Sequence, residues 1–484
     1  MTRPADPRRW RALNVTLVAG FMSLLDVSIV SVALPSMQHS LGADPAAVQW
    51  VVSGYALTFG LALVPAGRLG DALGRRRMFL LALGAFVLCS AAAGAAPTTG
   101  ALIAARLLQG LAAGSLAPQN SALIQSLFQG AERGRAFGRF GATVGISTAV
   151  GPVVGGVILA VAGEPDGWRW IFFVNVPIGV VALVLAARLL PHRGRARPRE
   201  HIDLVGVALL GAGVLALLLP LVRASAGGLR QWWLFVVGAA LLAVFVVWEL
   251  RVVRIGRPPL LDIRLMRDMP GYASGAALGT AYFVGFSGIW LVFALFFQVG
   301  LGFSPLQSGL AVTPFALGSA LTALVSGRHV ERFGRLLTVV GLAGVMLGLT
   351  VTALVLWRAP GAAGWGAAAP LLLAGLGGGL VVAPNITMTL RCVPVNMAGS
   401  AGGALQTAQR IGAAVGTAAL AGLYYAMLAA TGGDQPVAVA VALGGAVAAV
   451  GVALVIGLAE WWRGRPDRRA PQPEEHRAVP SMDG

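Results

Sequence analysis

The chain has 484 residues and a formal net charge of +17; 57% of its residues are hydrophobic and 11% are charged. Soluble globular domains carry about 25% charged residues, so the composition excludes an ordinary soluble domain and predicts an all-α membrane protein. The basic residues fall in short clusters between apolar runs, which favours the lipid bilayer over nucleic acid as the partner. Two cysteines and five scattered histidines predict neither a disulfide framework nor a metal site, and no cofactor is expected.

Apolar runs bounded by Gly, Pro or charge predict fourteen transmembrane helices, each of roughly 20 residues or more. The chain starts with a basic segment and a long apolar run without a small-residue cleavage site, so we predict a retained first helix. The predicted spans are residues 12–34, 48–66, 78–96, 101–123, 137–161, 170–190, 204–222, 232–250, 272–298, 307–326, 336–357, 368–390, 400–427 and 436–459.

The 36 basic residues are all arginines, and their density alternates from one connecting segment to the next. If the N-terminus is cytoplasmic, thirty arginines lie in cytoplasmic segments, four lie in outer segments and two lie inside spans. Cytoplasmic loops of membrane proteins carry the excess of positive charge. We therefore expect a multi-pass protein of the cytoplasmic (inner) cell membrane with both termini in the cytoplasm.

The sequence repeats itself at an offset of 260 residues. Residues 67–75 read GRLGDALGR and residues 327–335 read GRHVERFGR; the same offset aligns LGADP at 41–45 with LGFSP at 301–305. Two matches at one offset predict duplicated six-helix halves with the seventh and eighth helices inserted between them. Alternating-access transporters are built from such repeats, and their sites lie near the midplane between them.

This repeat predicts four parts of the chain. They are an N-terminal six-helix bundle at 1–190, a linker with two extra transmembrane helices at 191–270, a C-terminal six-helix bundle at 271–461 and a cytoplasmic tail at 462–484.

The segment GRLGDALGRRR, between the second and third predicted helices, resembles signature A of the major facilitator superfamily. The matching residues are Gly67, Asp71, Gly74 and Arg75, whereas Ala72 stands where a basic residue is commoner. A carboxylate such as Asp71 suits a helix N-terminus, where the dipole and the free N–H groups stabilise it. The resemblance implies that this loop controls the change between conformations.

Further motifs are similar to the fourteen-helix drug–proton antiporter branch of that superfamily. These are LDVSIVSVALP at 25–35 (first-helix signature), ARLLQG at 105–110 (signature B), GPVVGG at 151–156 (antiporter signature C) and WRWIFFVNVPIG at 168–179 (entry to the sixth helix). In signature C, Gly151, Gly155 and Gly156 give the fifth helix small faces for close packing, and Pro152 bends it. The resemblance implies a major facilitator fold of two six-helix bundles plus two inserted helices, which we expect to act as a monomer.

Asp26 is the one acidic residue of nineteen that the prediction places deep in a span. A carboxylate in hydrocarbon is costly and usually faces a cavity or a partner. Arg106, early in the predicted fourth helix, is the natural partner, and in the family it resembles this arginine is implicated in proton transfer. We therefore predict proton coupling through Asp26 and Arg106. The alternatives are an Asp that caps a broken helix and an Arg that snorkels to an interface.

An aromatic stripe on the predicted ninth helix is the candidate substrate surface. Its members, at helical spacing, are Tyr282, Phe286, Trp290, Phe293 and Phe297. Aromatic faces suit lipophilic or cationic ligands. The alternative is a structural stripe that faces lipid or packs in the core. Arg410, in the predicted thirteenth helix, either belongs to the substrate cavity or snorkels toward the cytoplasm.

The leading interpretation is a proton-coupled antiporter that exports lipophilic small molecules, such as drugs or antibiotics, as protons enter. Because Asp26 is the lone deep acid, neutral or monovalent substrates are expected over dications. Alternatives are an exporter of one specific endogenous metabolite or antibiotic, a membrane receptor or scaffold that transports nothing, and an intramembrane enzyme. The enzyme is disfavoured because neither a His nor a second carboxylate accompanies Asp26 deep inside the predicted spans; Glu249 lies at the end of its span.

Overall fold

The computed structural model describes residues 8–43, 45–163, 165–191, 203–224, 231–257, 259–261, 264–394 and 397–463, and within these ranges it contains helices and no β-strand. The predicted all-α class is confirmed. The helices are α1 (Arg9–Leu41), α2 (Pro45–Leu73), α3 (Arg75–Gly94), α4 (Thr99–Leu127), α5 (Gly130–Ala162), α6 (Arg169–Phe173), α7 (Asn175–Leu189), α8 (Leu204–Ala224), α9 (Trp233–Arg254), α10 (Arg264–Asp268), α11 (Tyr272–Ala294), α12 (Pro305–Phe333), α13 (Arg335–Arg358), α14 (Ala363–Gly366), α15 (Ala368–Thr389), α16 (Ala398–Ala430) and α17 (Gln435–Arg463). A π-helical turn, Leu295–Gly300, continues α11, and a 3-10 turn, Pro360–Ala362, precedes α14.

Each of the fourteen predicted spans is helical. Among the described residues, twelve helices are long and apolar enough to cross a membrane. The other two predicted spans are α5 and α8, which run for 33 and 21 residues and contain shorter apolar segments at 153–162 and 204–220. The observed helices generally extend beyond the predicted spans, because hydropathy marks only the apolar part and charged residues continue the helix toward water. For example, α5 begins at Gly130, seven residues before the predicted start.

Paired glycine turns mark the internal repeat. Gly74 (φ +98°) separates α2 from α3, and Gly334 (φ +50°) separates α12 from α13. Gly42 (φ +56°) follows α1, and Gly302 (φ +71°) precedes α12. Glycine is the residue that adopts these left-handed conformations without steric cost. Since each pair is 260 residues apart, the repeat in the sequence is also a repeat of backbone structure.

The two halves of the chain meet mainly where α5 packs on α12 and α2 packs on α16. A methyl group on Gly67 of α2 would overlap the backbone of Gly399 in α16, and one on Gly134 of α5 would lie 2.5 Å from the carbonyl oxygen of Gly327 in α12. The contact between α5 and α12 continues from Gly134 to Gly145, which corresponds to about 16 Å along α5. These close contacts lie on the side with the α2–α3 and α12–α13 turns, hereafter the turn face. The structure is closed on that face.

The helices α8 and α9 pack on each other between the two repeats, and α8 also lies against α2 and α16. Gly213 of α8 and Gly238 of α9 make room for Leu242 and Leu217 of the facing helix. Their place in the chain is that of the predicted insertion. The domain limits themselves remain a prediction, and residues 192–202 and the tail from 464 lie outside the described part of the chain.

Candidate functional site

Asp26 lies at the centre of a buried polar cluster in the first half of the chain. Its carboxylate forms an ion pair with Arg106 and accepts hydrogen bonds from Gln109 Nε2 (3.2 Å) and Asn175 Nδ2 (3.4 Å). Asp26, Arg106 and Gln109 are each 0% exposed. A charge buried in apolar surroundings is strongly destabilising unless it is paired and hydrogen-bonded. The cluster provides Asp26 with an ion-pair partner and with hydrogen-bond donors.

Several contacts fix the position of Arg106. Its Nε donates a hydrogen bond to the carbonyl oxygen of Val51 at 3.0 Å, and its Nη1 donates to Gln109 Oε1 at 2.8 Å. Its guanidinium also lies over the Tyr55 ring, 4.2 Å from the centroid. Gln109 follows Arg106 by three residues, so both side chains leave α4 on the face toward α1. The snorkelling interpretation of Arg106 is therefore wrong.

Two further residues, Asn175 and Ser90, belong to this cluster and were not predicted from the sequence. Asn175, at the start of α7, also donates a hydrogen bond to Ser90 Oγ in α3 (3.3 Å), and Ser90 Oγ donates to the carbonyl oxygen of Phe172 (2.9 Å). Both polar side chains are buried. The sequence feature that could have indicated Asn175 is its place in WRWIFFVNVPIG, where it is the one amide side chain in an apolar segment.

Asp71 links the two halves of the chain at the end of α2. Its carboxylate accepts hydrogen bonds from the backbone N–H groups of Gly399 (3.2 Å) and Ser400 (3.0 Å) in the first turn of α16, and it pairs with Arg75 at 3.2 Å. Arg75 also donates to the carbonyl oxygen of Ala122 in α4 at 2.8 Å. The preference of Asp71 for a helix N-terminus is thus observed, and the helix concerned belongs to the opposite half.

The residues of the antiporter motif lie where α5 packs against α1. A methyl group on Gly151 would overlap the side chain of Ser28. Gly155 is buried, whereas Gly156 has no atom within 4 Å of the position that a side chain would take. Helix α5 continues through Pro152, whose side chain lies outside the described atoms. The motif therefore contributes close packing at Gly151, and the predicted bend stays a prediction.

The predicted aromatic stripe divides into two groups. Tyr282, Phe293 and Phe297 are at most 1% exposed and belong to the core of the second half, so packing accounts for them. Phe286 and Trp290 are partly exposed, and their rings meet edge to face 5.6 Å apart. These two are the members of the stripe with surface available to a ligand.

Arg410 of α16 contacts the first half of the chain. Its guanidinium carbon lies 4.2 Å from the centroid of the Phe59 ring in α2. The residue is partly exposed, and it forms no ion pair or hydrogen bond with any residue that the structure describes.

Two acids near helix ends are more buried than the sequence indicates. Glu249 of α9 is fully buried and accepts a hydrogen bond from the backbone N–H of Leu261 at 3.4 Å. Glu460 of α17 pairs with Arg335 at 2.6 Å. Both lie within five residues of a helix end, so Asp26 is the one acid near the middle of a helix among the described residues.

Comparison with known proteins decides the family. The sequence profile described as "Major Facilitator Superfamily" matches residues 16–417 and 275–481. The chain belongs to the major facilitator superfamily. As a member of this superfamily it is a multi-pass membrane transporter and not an enzyme.

Two curated relatives of this superfamily member come from Streptomyces. The chain is 38% identical over 436 residues to the probable actinorhodin transporter of Streptomyces coelicolor, covering 88% of this chain and 74% of the relative. It is 35% identical over 480 residues to the puromycin resistance protein of Streptomyces alboniger, covering 94% and 91%. The fold is similar to the crystal structure of the human organic anion transporter MFSD10, with a TM-score of 0.68 and 16% identity, covering 93% of this chain and 100% of that one.

Proposed function

We propose that this transporter is a proton-coupled antiporter that exports lipophilic small molecules, including antibiotics, across the cytoplasmic membrane. The observation that carries the proposal is the Asp26–Arg106 ion pair, an ionisable group buried in the middle of a span. The curated relatives named for actinorhodin transport and puromycin resistance support antibiotic export. In this proposal the turn face is cytoplasmic, both termini lie in the cytoplasm and a single chain is the transporting unit.

The buried pair has the property that proton coupling requires. When Asp26 is ionised, the pair with Arg106 is neutral overall. When Asp26 binds a proton, Arg106 becomes an uncompensated buried cation, and the cluster must rearrange or gain water. The two protonation states therefore favour different arrangements of α1 and α4, and a ligand that distinguishes two arrangements shifts the balance between them.

The conformation in the structure corresponds to one end of such a cycle. The turn face is closed by α2 with α16 and α5 with α12, and the Asp26 cluster is fully buried. The runner-up proposal, export of a single metabolite or antibiotic, uses the same site and the same cycle. It differs only in substrate range, which a susceptibility panel on cells with and without the protein measures.

Proteoliposomes test the coupling. The purified protein is reconstituted with a pH-sensitive dye inside, and a compound that the susceptibility panel identifies as exported is added under an imposed pH gradient. Substrate should accelerate proton movement through the wild type. Asp26→Asn keeps nearly the same shape but cannot ionise, so it should abolish substrate-dependent proton flux, and Asp26→Glu should retain part of it.

The matched control is Asp434→Asn, which removes an exposed charge just before α17, where asparagine can also cap the helix. This variant should move protons as the wild type does. Gradient-driven export by Asp26→Asn at the wild-type rate would show that Asp26 only holds the buried cluster together, because the amide oxygen of asparagine can also accept hydrogen bonds from Arg106 and Gln109.

A further inference from the structure

Arg410 lies between the two halves of the chain, and among the described residues its guanidinium has no carboxylate within 4.0 Å and one aromatic contact, the Phe59 ring. Arg106, which also lies in the middle of a helix, has Asp26 as a full counterion. Within the part of the chain that the structure describes, the positive charge of Arg410 is therefore uncompensated.

The position of Arg410 argues against snorkelling to the cytoplasmic surface. Arg410 follows Gly399 by eleven residues, which corresponds to about 16 Å along α16. Phe59 precedes Gly67 by eight residues, which corresponds to about 12 Å along α2. Since Gly67 and Gly399 touch at the closed turn face, the guanidinium lies well inside the hydrocarbon layer.

The residue points into the space between the halves. On α16 the residues that contact the first half are Gly399, Gly403 and Gln406, the last of which donates a hydrogen bond to Ser121 Oγ at 3.4 Å. Arg410 continues that face by one helical turn. Because Arg410 is partly exposed, it borders space large enough for water, just beyond the closed contact.

We propose that Arg410 binds an acidic group of the exported molecule, so that the preferred substrate is a lipophilic monoanion. A guanidinium offers planar paired donors that match a carboxylate or a similar oxyanion. The Phe59 ring beneath it supplies an apolar wall for the rest of the ligand. A lipophilic cation would meet the uncompensated charge of Arg410 and be repelled. This inference rests on the proposed export function and names its substrate class.

The same aromatic pair separates this anion site from the proton site. Tyr55 and Phe59 lie one turn apart on α2 with ring centroids 6.1 Å apart. Arg106 lies over Tyr55 and Arg410 over Phe59, each at 4.2 Å from the ring centroid. The substrate anion would thus bind next to the proton site, with the rings of Tyr55 and Phe59 beside the two guanidinium groups.

Equilibrium binding tests the proposal without any proton gradient. The full chain in lipid nanodiscs is titrated with three fluorescent probes of one shape: a dansyl-amide alkyl carboxylate, its methyl ester and the corresponding alkylammonium. A hydrogen bond to a charged partner corresponds to roughly a tenfold or larger difference in affinity. The wild type should bind the carboxylate at least about tenfold more tightly than the ester, and the ammonium least tightly.

Arg410→Gln should reduce the carboxylate-to-ester ratio to about one while the ester still binds, which shows that the variant is folded. Arg410→Lys should keep part of the preference, since it retains the charge without the planar donors. The control is Arg358→Gln, which removes an arginine that lies over Trp357 at 4.5 Å at the end of α13; it should bind as the wild type does.

Equal affinity of the wild type for carboxylate and ester, or an unchanged preference in Arg410→Gln, would overturn the anion site. Neither result depends on proton flux. Failure of the antiport proposal is seen separately, as export by Asp26→Asn in proteoliposomes.

Discussion

The carboxylate of Asp71 accepts a hydrogen bond from the backbone N–H of Ser400, 3.0 Å away and 329 residues later in the chain. Asp71 lies in the last turn of α2 in the first half, and Ser400 lies in the first turn of α16 in the second half. Opening of the turn face must separate these helices and break the bond. The contact therefore bears on the balance between conformations and lies far from the Asp26 cluster.

Asp71→Asn should slow transport several-fold and leave substrate affinity within about twofold. The change removes the charge that α16 stabilises at its N-terminus, and hydrogen bonds to charged groups contribute roughly 1.5–3 kcal/mol each. Spin labels on α2 and α16 at the turn face should report a longer mean distance. Asp434→Asn, which removes an exposed charge just before α17, is the control. Loss of binding equal to loss of transport would contradict a purely conformational role.

Gly67→Val should prevent the turn face from closing. A side chain at Gly67 would overlap the backbone of Gly399, which cannot move aside as a flexible side chain can. We expect transport to fall to background while the protein still reaches the membrane. Single cysteines introduced at the turn face should become more reactive toward a water-soluble maleimide. Gly84→Val is the matched control, since no atom lies within 4 Å of the side-chain position there. Normal export by Gly67→Val would rule out the tight contact.

Trp290→Ala and Phe286→Ala should change which compounds are exported. Both side chains are partly exposed and contact each other, so truncating either one reshapes a single surface. The readout is a susceptibility panel in which some compounds gain and others lose protection, by a few-fold each. Trp365→Ala, which removes a side chain of α14 that is 92% exposed, should leave the panel unchanged. An unchanged panel at normal expression for the two test variants would remove the stripe from the substrate surface.

Reporter fusions should place both termini in the cytoplasm. This expectation follows from the even number of predicted helices and from the thirty-to-four distribution of arginines. A fluorescent protein that matures in the cytoplasm should be bright at the C-terminus, and alkaline phosphatase should be inactive there. The reverse pattern at the C-terminus would contradict the fourteen-helix topology. The assignment of α8 and α9 as two membrane-spanning helices would then be the first to be tested.

Much of the fold could be predicted because its causes are local. Hydropathy locates the helices, and the repeat of GRLGDALGR locates the two halves. Asp26 and Arg106 stand out because ions are rare in apolar runs, so their pairing could also be expected. The predicted helix ends were less accurate than the predicted helix centres, because charged residues such as Glu132 continue α5 beyond its apolar part.

Other features could not be predicted because their partners carry no signal in the sequence. Asn175 lies 149 residues from Asp26, and an asparagine in an apolar segment has many possible partners. The groups that bind Asp71 are backbone N–H groups, which every residue except proline has. The division of the aromatic stripe into core and exposed members depends on how α11 packs against α12 and α17. This packing cannot be predicted from the spacing of the aromatic residues.

The closed turn face has an electrical consequence. The close helix contacts between the halves extend over about 16 Å, roughly half of the 30 Å hydrocarbon core, and a layer packed this closely leaves little room for water. The membrane voltage falls mainly across such a layer, and one elementary charge crossing the full voltage changes its energy by about 2.3 kcal/mol per 100 mV. In the proposed antiport cycle the packed layer re-forms on the opposite side, so Arg410 and any proton on Asp26 would change their place in the electric field. Under that proposal, the membrane voltage would act directly on the conformational change, alongside the difference in proton concentration.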